Sequence, residues 1–416
     1  MRFYCFLILW TYLTGVVFYN WIGIATGFSF TDEAISMLLL LLSFVFHRRN
    51  GMAQRYFTKL CYVLGIFSFY IFYSSIISSN TTEARWGDLI IQIKPFLTFF
   101  GTVIIGLSLD DSGKRLLRKV ILLLTPFMVL IGIGYFMHEV FGYARFDFLK
   151  QVFGHPACYA TNCQIAGLLY LYCSERTGKD VLRMFFYFVI GLLSFRSRCY
   201  AFIILALILF FVWNGKKRFH VKNILTFAVV IGLVFYVCRS DIYLYFTKNK
   251  DTNGLPARLA LYIGAYKILR DHILFGSGLA SFATYYSVHP YASTYYDYDL
   301  WWVYGLKESN PSFVSDTFYP VLAQFGIVGI VLFLLFLQFL WKEIFVLYDR
   351  KIPRDSVALR ACVCIFIIFL IESVVSPIFS LNSGMFMFML LAMFLNEAYS
   401  GRQNKMRQMA NYQVEH

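Results

Sequence analysis

Two arginines stand in the short step Phe195-Arg196-Ser197-Arg198, between two apolar runs. A guanidinium group is always charged and can hold a phosphate through two parallel hydrogen bonds. Placed at the centre of a bilayer, each would cost several kcal/mol. The runs on either side, 181–195 and 199–213, are therefore read as a tight hairpin of two spans rather than one long helix. The pair at the turn either binds lipid phosphate or forms a dedicated anion site. A lipid substrate linked through pyrophosphate would need such a site, and so would its departing diphosphate.

A third cation, Arg258, follows Asn253-Gly254-Leu255-Pro256, which reads as a helix start. Leu259, Tyr262, Ile263, Tyr266, Leu269 and Ile273 then recur at helical spacing, so an amphipathic helix on the membrane surface is expected. Arg258 shares a face with Tyr262, Tyr266 and Leu269, while Lys267 points to water. Arg258 is either a snorkelling end-of-helix residue or an anion ligand facing the protein.

Beyond a turn at Phe275-Gly276-Ser277-Gly278 comes a stretch dense in aromatics: Tyr285, Tyr286, Tyr291, Tyr295, Tyr296, Tyr298, Trp301, Trp302 and Tyr304. Rings with a polar tip suit lipid headgroups, and equally the apolar faces of sugars. His289, Asp297 and Asp299 are either solvated or available for acid–base work. Ser315-Asp316-Thr317 precedes an apolar run carrying Pro320, so a helix cap is the default for Asp316.

The elements that position these residues follow from composition. Of 416 residues, 59% are hydrophobic and only 14% charged, about half the charge of a soluble protein. The mean hydropathy is +0.63. A soluble enzyme, a disordered chain and a disulfide-built secreted domain are excluded. About twelve apolar runs are long enough to span, near 3–24, 28–46, 56–78, 89–109, 117–138, 156–173, 181–195, 199–213, 220–238, 318–341, 357–380 and 383–399. Four basic segments fall on one side in that count: His47-Arg48-Arg49 with Arg55 and Lys59; Lys114-Arg115 with Arg118-Lys119; Lys216-Lys217-Arg218 with Lys222; and the tail with Arg402, Lys405 and Arg407. By the positive-inside rule both termini are cytoplasmic. The first run is read as an uncleaved span. The net charge of +14 is then an orientation signal rather than a nucleic-acid footprint.

The one long stretch outside the spans, 239–317, lies on the non-cytoplasmic side and carries seven cations and seven anions. Arg196, Arg198 and Arg258 are all on that side, where the orientation rule predicts few cations. The nine cysteines sit mostly within spans and have no zinc or disulfide spacing. No phosphate-binding loop, dinucleotide fingerprint or HExxH motif is present.

Four segments resemble the O-antigen polymerase and O-antigen ligase superfamily of bacterial inner-membrane glycosyltransferases. They are Ser194-Phe195-Arg196-Ser197-Arg198, Ala257-Arg258-Leu259, Ile273-Leu274-Phe275-Gly276-Ser277-Gly278-Leu279, and Ser315-Asp316-Thr317-Phe318 with Leu322-Ala323-Gln324-Phe325-Gly326-Ile327-Val328-Gly329. The likeness covers roughly 185–335. It implies an all-α polytopic membrane protein of about twelve transmembrane helices with one large periplasmic loop containing amphipathic helices. Spans one to nine would occupy 1–238, the loop 239–317, spans ten to twelve 318–399, and a basic cytoplasmic tail 400–416. The resemblance further implies a glycan substrate carried on undecaprenyl pyrophosphate. It implies inverting transfer without metal or cofactor, and a flippase and a chain-length regulator as partners beside the membrane lipids.

Carried onto this chain, Arg198 and Arg258, with Arg196 beside them, would hold the pyrophosphate. Tyr291, Tyr295, Tyr296, Trp301 and Trp302 are the sugar-stacking candidates. Where ligases have a His-Asn pair, this chain has Ser315-Asp316, which favours a polymerase. Asp316 is the first candidate for the base and His289 the second. The alternatives are a ligase-type transferase, and a transporter or flippase of lipid-linked sugars. A transporter needs ionisable groups near the midplane, and only Lys94, next to Pro95, and Glu372 qualify.

Overall fold

The computed structural model describes residues 2–26, 30–78, 80–142, 148–213, 232, 236, 239, 255–348 and 353–415. Apart from residues 232 and 236, the expected span at 220–238 lies outside them. So do the basic cluster Lys216 to Lys222, the loop charges Asp241, Lys248, Lys250 and Asp251, and the residues Asn253-Gly254.

Helices dominate, and no strand occurs among the described residues. In order they are α1 (Arg2–Tyr12), α2 (Tyr19–Thr26), α3 (Thr31–Phe46), α4 (Gly51–Ile77), α5 (Thr82–Ile104), α6 (Asp111–Phe141), α7 (Phe148–Phe153), α8 (Pro156–Tyr172), α9 (Gly178–Gly191), α10 (Ser197–Leu207), α11 (Ala257–Asp271), α12 (Thr294–Asp297), α13 (Gly326–Leu347), α14 (Pro353–Glu372) and α15 (Asn382–Glu415). π-helical turns at Leu13–Val17 and Ile208–Val212 extend α1 and α10, and a 3₁₀ segment at Tyr319–Phe325 leads into α13.

Polar side chains set several starts. Asn50 accepts from Ala53 N at 2.7 Å, Thr81 from Ala84 N at 3.3 Å and Asp110 from Gly113 N at 2.9 Å. Thr177 and Asp180 close a capping box at α9. α5 therefore begins at Thr82, earlier than the expected 89, because Thr81 caps it in spite of the polar residues that follow.

The chain is a multi-pass membrane protein. α4, α5, α6 and the continuous 3₁₀–α13 segment Tyr319–Leu347 are each long and apolar enough to cross a bilayer. Leu41, Phe72, Ile76, Leu123, Leu130, Leu334 and Leu335 lie exposed on their helices, as lipid-facing residues do. The centre is formed by α8, buried except at Cys158, and by residues 385–395 of α15, which are buried on every side.

The helix ends gather at two poles. At one, Arg49 donates to Ile105 O at 2.9 Å and Arg402 to Val346 O at 3.1 Å. Glu397 takes Lys114 at 3.2 Å and Arg176 at 2.6 Å, and Arg55 pairs with Glu343. Three of the four basic segments noted in the sequence meet here.

At the opposite pole the loop residues after 255 build their own core from Leu261, Ile268, Phe282, Tyr295, Leu300, Leu306 and Val314. This unit docks on the ends of α4 and α5. Ser74 Oγ accepts from Leu279 N at 2.7 Å, Asp88 from Ala280 N at 2.8 Å, and Asn80 Nδ2 donates to Ala280 O at 2.7 Å. Packing into this unit uses the side of α11 opposite the apolar residues read from the spacing. Its buried face is Ala260, Leu261, Gly264, Ala265 and Ile268, whereas Tyr266 and Ile263 are exposed. Small residues allow the close approach to Phe282 and Leu300 that a larger side chain at Gly264 would block.

Candidate functional site

The turn Phe275 to Gly278 lies back to back with the segment Ala323 to Gly326. Gly278 N donates to Gln324 O at 3.0 Å, Ile327 N to Ile273 O at 2.8 Å and Val328 N to Leu274 O at 3.2 Å. Gly276 and Gly326 both have positive φ, +74° and +62°, and a Cβ on either would collide with the other strand of backbone. Gln324 Oε1 accepts from Ser281 N at 2.9 Å and so pins the turn. Two of the four segments noted in the sequence are thus one contact, and it anchors the end of α11 beside the start of α13.

That anchoring sets Arg258 against Asp316, with Nη2 to Oδ2 at 3.0 Å. Asp316 does not cap a helix: the 3₁₀ segment starts from Phe318, with no side-chain cap. Instead Phe318 N donates to Ser373 O at 3.1 Å, where α14 has ended. Tyr319 Oη donates to Leu370 O at 2.7 Å and Tyr262 Oη to Val374 O at 2.9 Å. These bonds satisfy carbonyls at the α14 terminus that no helix turn can, and they fix Glu372. Glu372 Oε2 then pairs with Arg198 Nη1 at 2.8 Å.

Arg198 reaches this point because the hairpin between α9 and α10 is real. A 3₁₀ turn at Leu192–Ser194 ends in Phe195 with φ +54°, and α10 starts at Ser197. Arg198 also acts on Asp316 electrostatically. The motif arginines, 60 residues apart in sequence, thus share one cluster. Its balance is positive: Arg196, Arg198 and Arg258 face two carboxylates, and Arg196 has no carboxylate partner among the described residues. Burial raises the Asp316 pKa above the ordinary carboxylate value, opposed by Arg258 and Arg198.

His155 also belongs to this cluster, and nothing in the sequence singled it out. It stands between α7 and α8, and its strongest charged neighbours are Arg196, Arg198, Arg258 and Lys150. Its one local signal was the His-Pro step before a span, since Pro156 opens α8.

The other candidates lie elsewhere or serve the loop core. His289 stacks on Tyr285 at 4.3 Å, and its Nδ1 lies 3.0 Å from Tyr285 O. Tyr295 is fully buried, with its hydroxyl bonded to Ala283 N at 2.9 Å and Ser287 Oγ at 2.8 Å, so it is a core residue rather than an open stacking surface. Tyr291 donates to Leu306 O at 2.6 Å. Tyr296, Trp301 and Trp302 remain exposed, and Tyr296 stacks on Trp301. Lys94 is buried against Asp32 and Glu33, the latter at 3.0 Å, so it is not an isolated midplane charge.

Residues 184–334 match the family model described as O-Antigen ligase. The match spans the hairpin arginines, α11, the glycine contact and Asp316. It bears out the resemblance read over 185–335, and it points to a membrane enzyme of the O-antigen ligase or polymerase type. Among curated proteins, none matches the chain.

Proposed function

We propose that this protein is a glycosyltransferase that polymerises oligosaccharide repeat units carried on undecaprenyl pyrophosphate, making O-antigen or a capsular or exopolysaccharide. It works at the periplasmic face of the bacterial inner membrane, with both termini cytoplasmic. The observation that carries the reading is the convergence of Arg198 and Arg258, both within the segment of ligase type, on Asp316 and Glu372.

The acceptor hydroxyl of one lipid-linked unit attacks the anomeric carbon of the growing chain. The new C–O bond forms as the bond to the diphosphate breaks, which inverts the centre. Asp316 takes the hydroxyl proton, and burial makes it a stronger base than a solvated carboxylate. To do so it exchanges part of its pairing with Arg258 as the arginines turn to the diphosphate. Arg198 and Arg258 stabilise the charge that develops on that leaving group, so the reading requires no metal. The exposed rings of Tyr296, Trp301 and Trp302 are suited to carry sugars. His289 remains the second choice for the base. A flippase supplies the substrate and a chain-length regulator limits the product.

The test is a gel ladder of polysaccharide from cells carrying Arg198→Ala or Arg258→Ala. Both proteins should stay in the membrane and yield no long chains. Normal ladders from both variants would sink the assignment. The description of the matching family favours a second reading, transfer of finished glycan onto an acceptor. A ladder collapsed to single attached units means lost polymerisation, whereas free lipid-linked long chains mean lost ligation.

A further inference from the structure

Near the hairpin arginines, where the first turn of α8 packs so closely that a Cβ at Gly191 would meet Cys199 Sγ at 3.2 Å and Ala160 O at 3.5 Å, the roles above leave His155 unused. Its Nδ1 accepts from Ala157 N at 3.1 Å and so caps α8. A ring nitrogen that accepts an N–H carries no proton. In the neutral imidazole the hydrogen is therefore on Nε2, which makes that atom a donor. Charging the ring would put a second hydrogen on Nδ1 and break the cap.

The surroundings act in the same direction. Although the residue is exposed, desolvation of its ring and then Arg196, Arg198, Arg258 and Lys150 push its pKa down. The group is neutral at physiological pH. It has no free lone pair to act as a base, but it has one N–H to give.

We propose that His155 donates a hydrogen bond from Nε2 to the diphosphate of the substrate, completing the arginine site, while its Nδ1 holds the start of α8. This role rests on the functional reading above. It adds a neutral donor to a site whose other donors are charged. A further arginine here would be repelled by the three already present, whereas a neutral N–H adds a bond without adding charge.

Asparagine separates the two duties of the residue. It caps a helix as well as any residue does, but its short amide does not reach where Nε2 stands. The test titrates inorganic pyrophosphate into the purified full-length protein in detergent, by calorimetry at neutral pH. Wild type should bind and Arg258→Ala should not. His155→Asn should keep the wild-type Tm and bind about ten-fold more weakly, the loss of one hydrogen bond to a charged group. His155→Ala should bind as weakly and also melt earlier. If His155→Asn binds as tightly as wild type while Arg258→Ala does not, the residue is only a cap and the proposal falls alone. If wild type and Arg258→Ala bind alike, or neither binds, the diphosphate site itself is wrong and His155 falls with it.

Discussion

Two charge clusters sit at opposite poles of this molecule, and they are built differently. At the pole of the basic loops, the single carboxylate Glu397 is gripped by Lys114 and by Arg176, whose side chain is 3% exposed. Tyr172 and Phe394 lie under these cations as ring faces at 5.2 Å. Both of these cations are paired with Glu397. At the other pole, Arg196, Arg198 and Arg258 outnumber Asp316 and Glu372, and the Asp316 side chain is a third exposed. The first cluster ties α6, α8 and α15 together. In the second, Arg196 has no carboxylate partner among the described residues. Full pairing is what a structural clamp needs, and an uncommitted cation is what an anion site needs.

Substitutions can break that contrast. The largest effect on stability should come from Glu397→Ala, which strands two cations in a largely buried site at a cost of about 3–5 kcal/mol. A thermal melt in detergent should show a large fall in Tm. An unchanged Tm would mean that the inner cluster is not a clamp. Arg258→Ala and Arg198→Ala should do the reverse. Transfer activity should drop by about 100-fold or more, the scale for losing a donor to a developing oxyanion, with a smaller fall in Tm than Glu397→Ala gives, since each leaves one carboxylate rather than two cations unpaired. Gly276→Ala lies between these cases. Its Cβ meets the Ala323–Gln324 backbone at positive φ, so a loss of about 1–3 kcal/mol is expected. Activity should fall because Arg258 and Asp316 lose their common anchor.

The smallest effect concerns pH. The Asp316 pKa is raised in the folded protein, chiefly by burial, so the acid limb of transfer activity should lie above the ordinary carboxylate range. Activity is lost as pH falls through that raised value, because the base must be ionised. Asp316→Asn should leave a low residual rate with no such limb. A limb that persists in Asp316→Asn would transfer the role of base to another group.

Local signals placed most elements correctly. Apolar runs gave helices near the expected positions, and the Arg196–Arg198 step gave the hairpin because charge at midplane is too costly. α11 starts one residue after Pro256, as its proline implied. What the spacing left unread was its opposite face. Helical spacing marks which residues are apolar, but not whether lipid or protein covers them. Here the loop core took the small residues and left Tyr266 outside. Asp316 misled for a related reason. A cap is a local explanation, whereas its actual partner lies 58 residues away.

By itself the sequence determined the membrane class, the basic pole and the hairpin. Each of these follows from composition or from neighbours within a few residues. Only the tertiary structure decided what the arginines face. Arg198 meets Glu372 across 174 residues. His155 enters the site because α8 starts beside the hairpin, and Gly276 and Gly326 prove to be one contact rather than two turns. Such pairings depend on which helix ends pack together, and packing is decided by shape and burial over the whole chain.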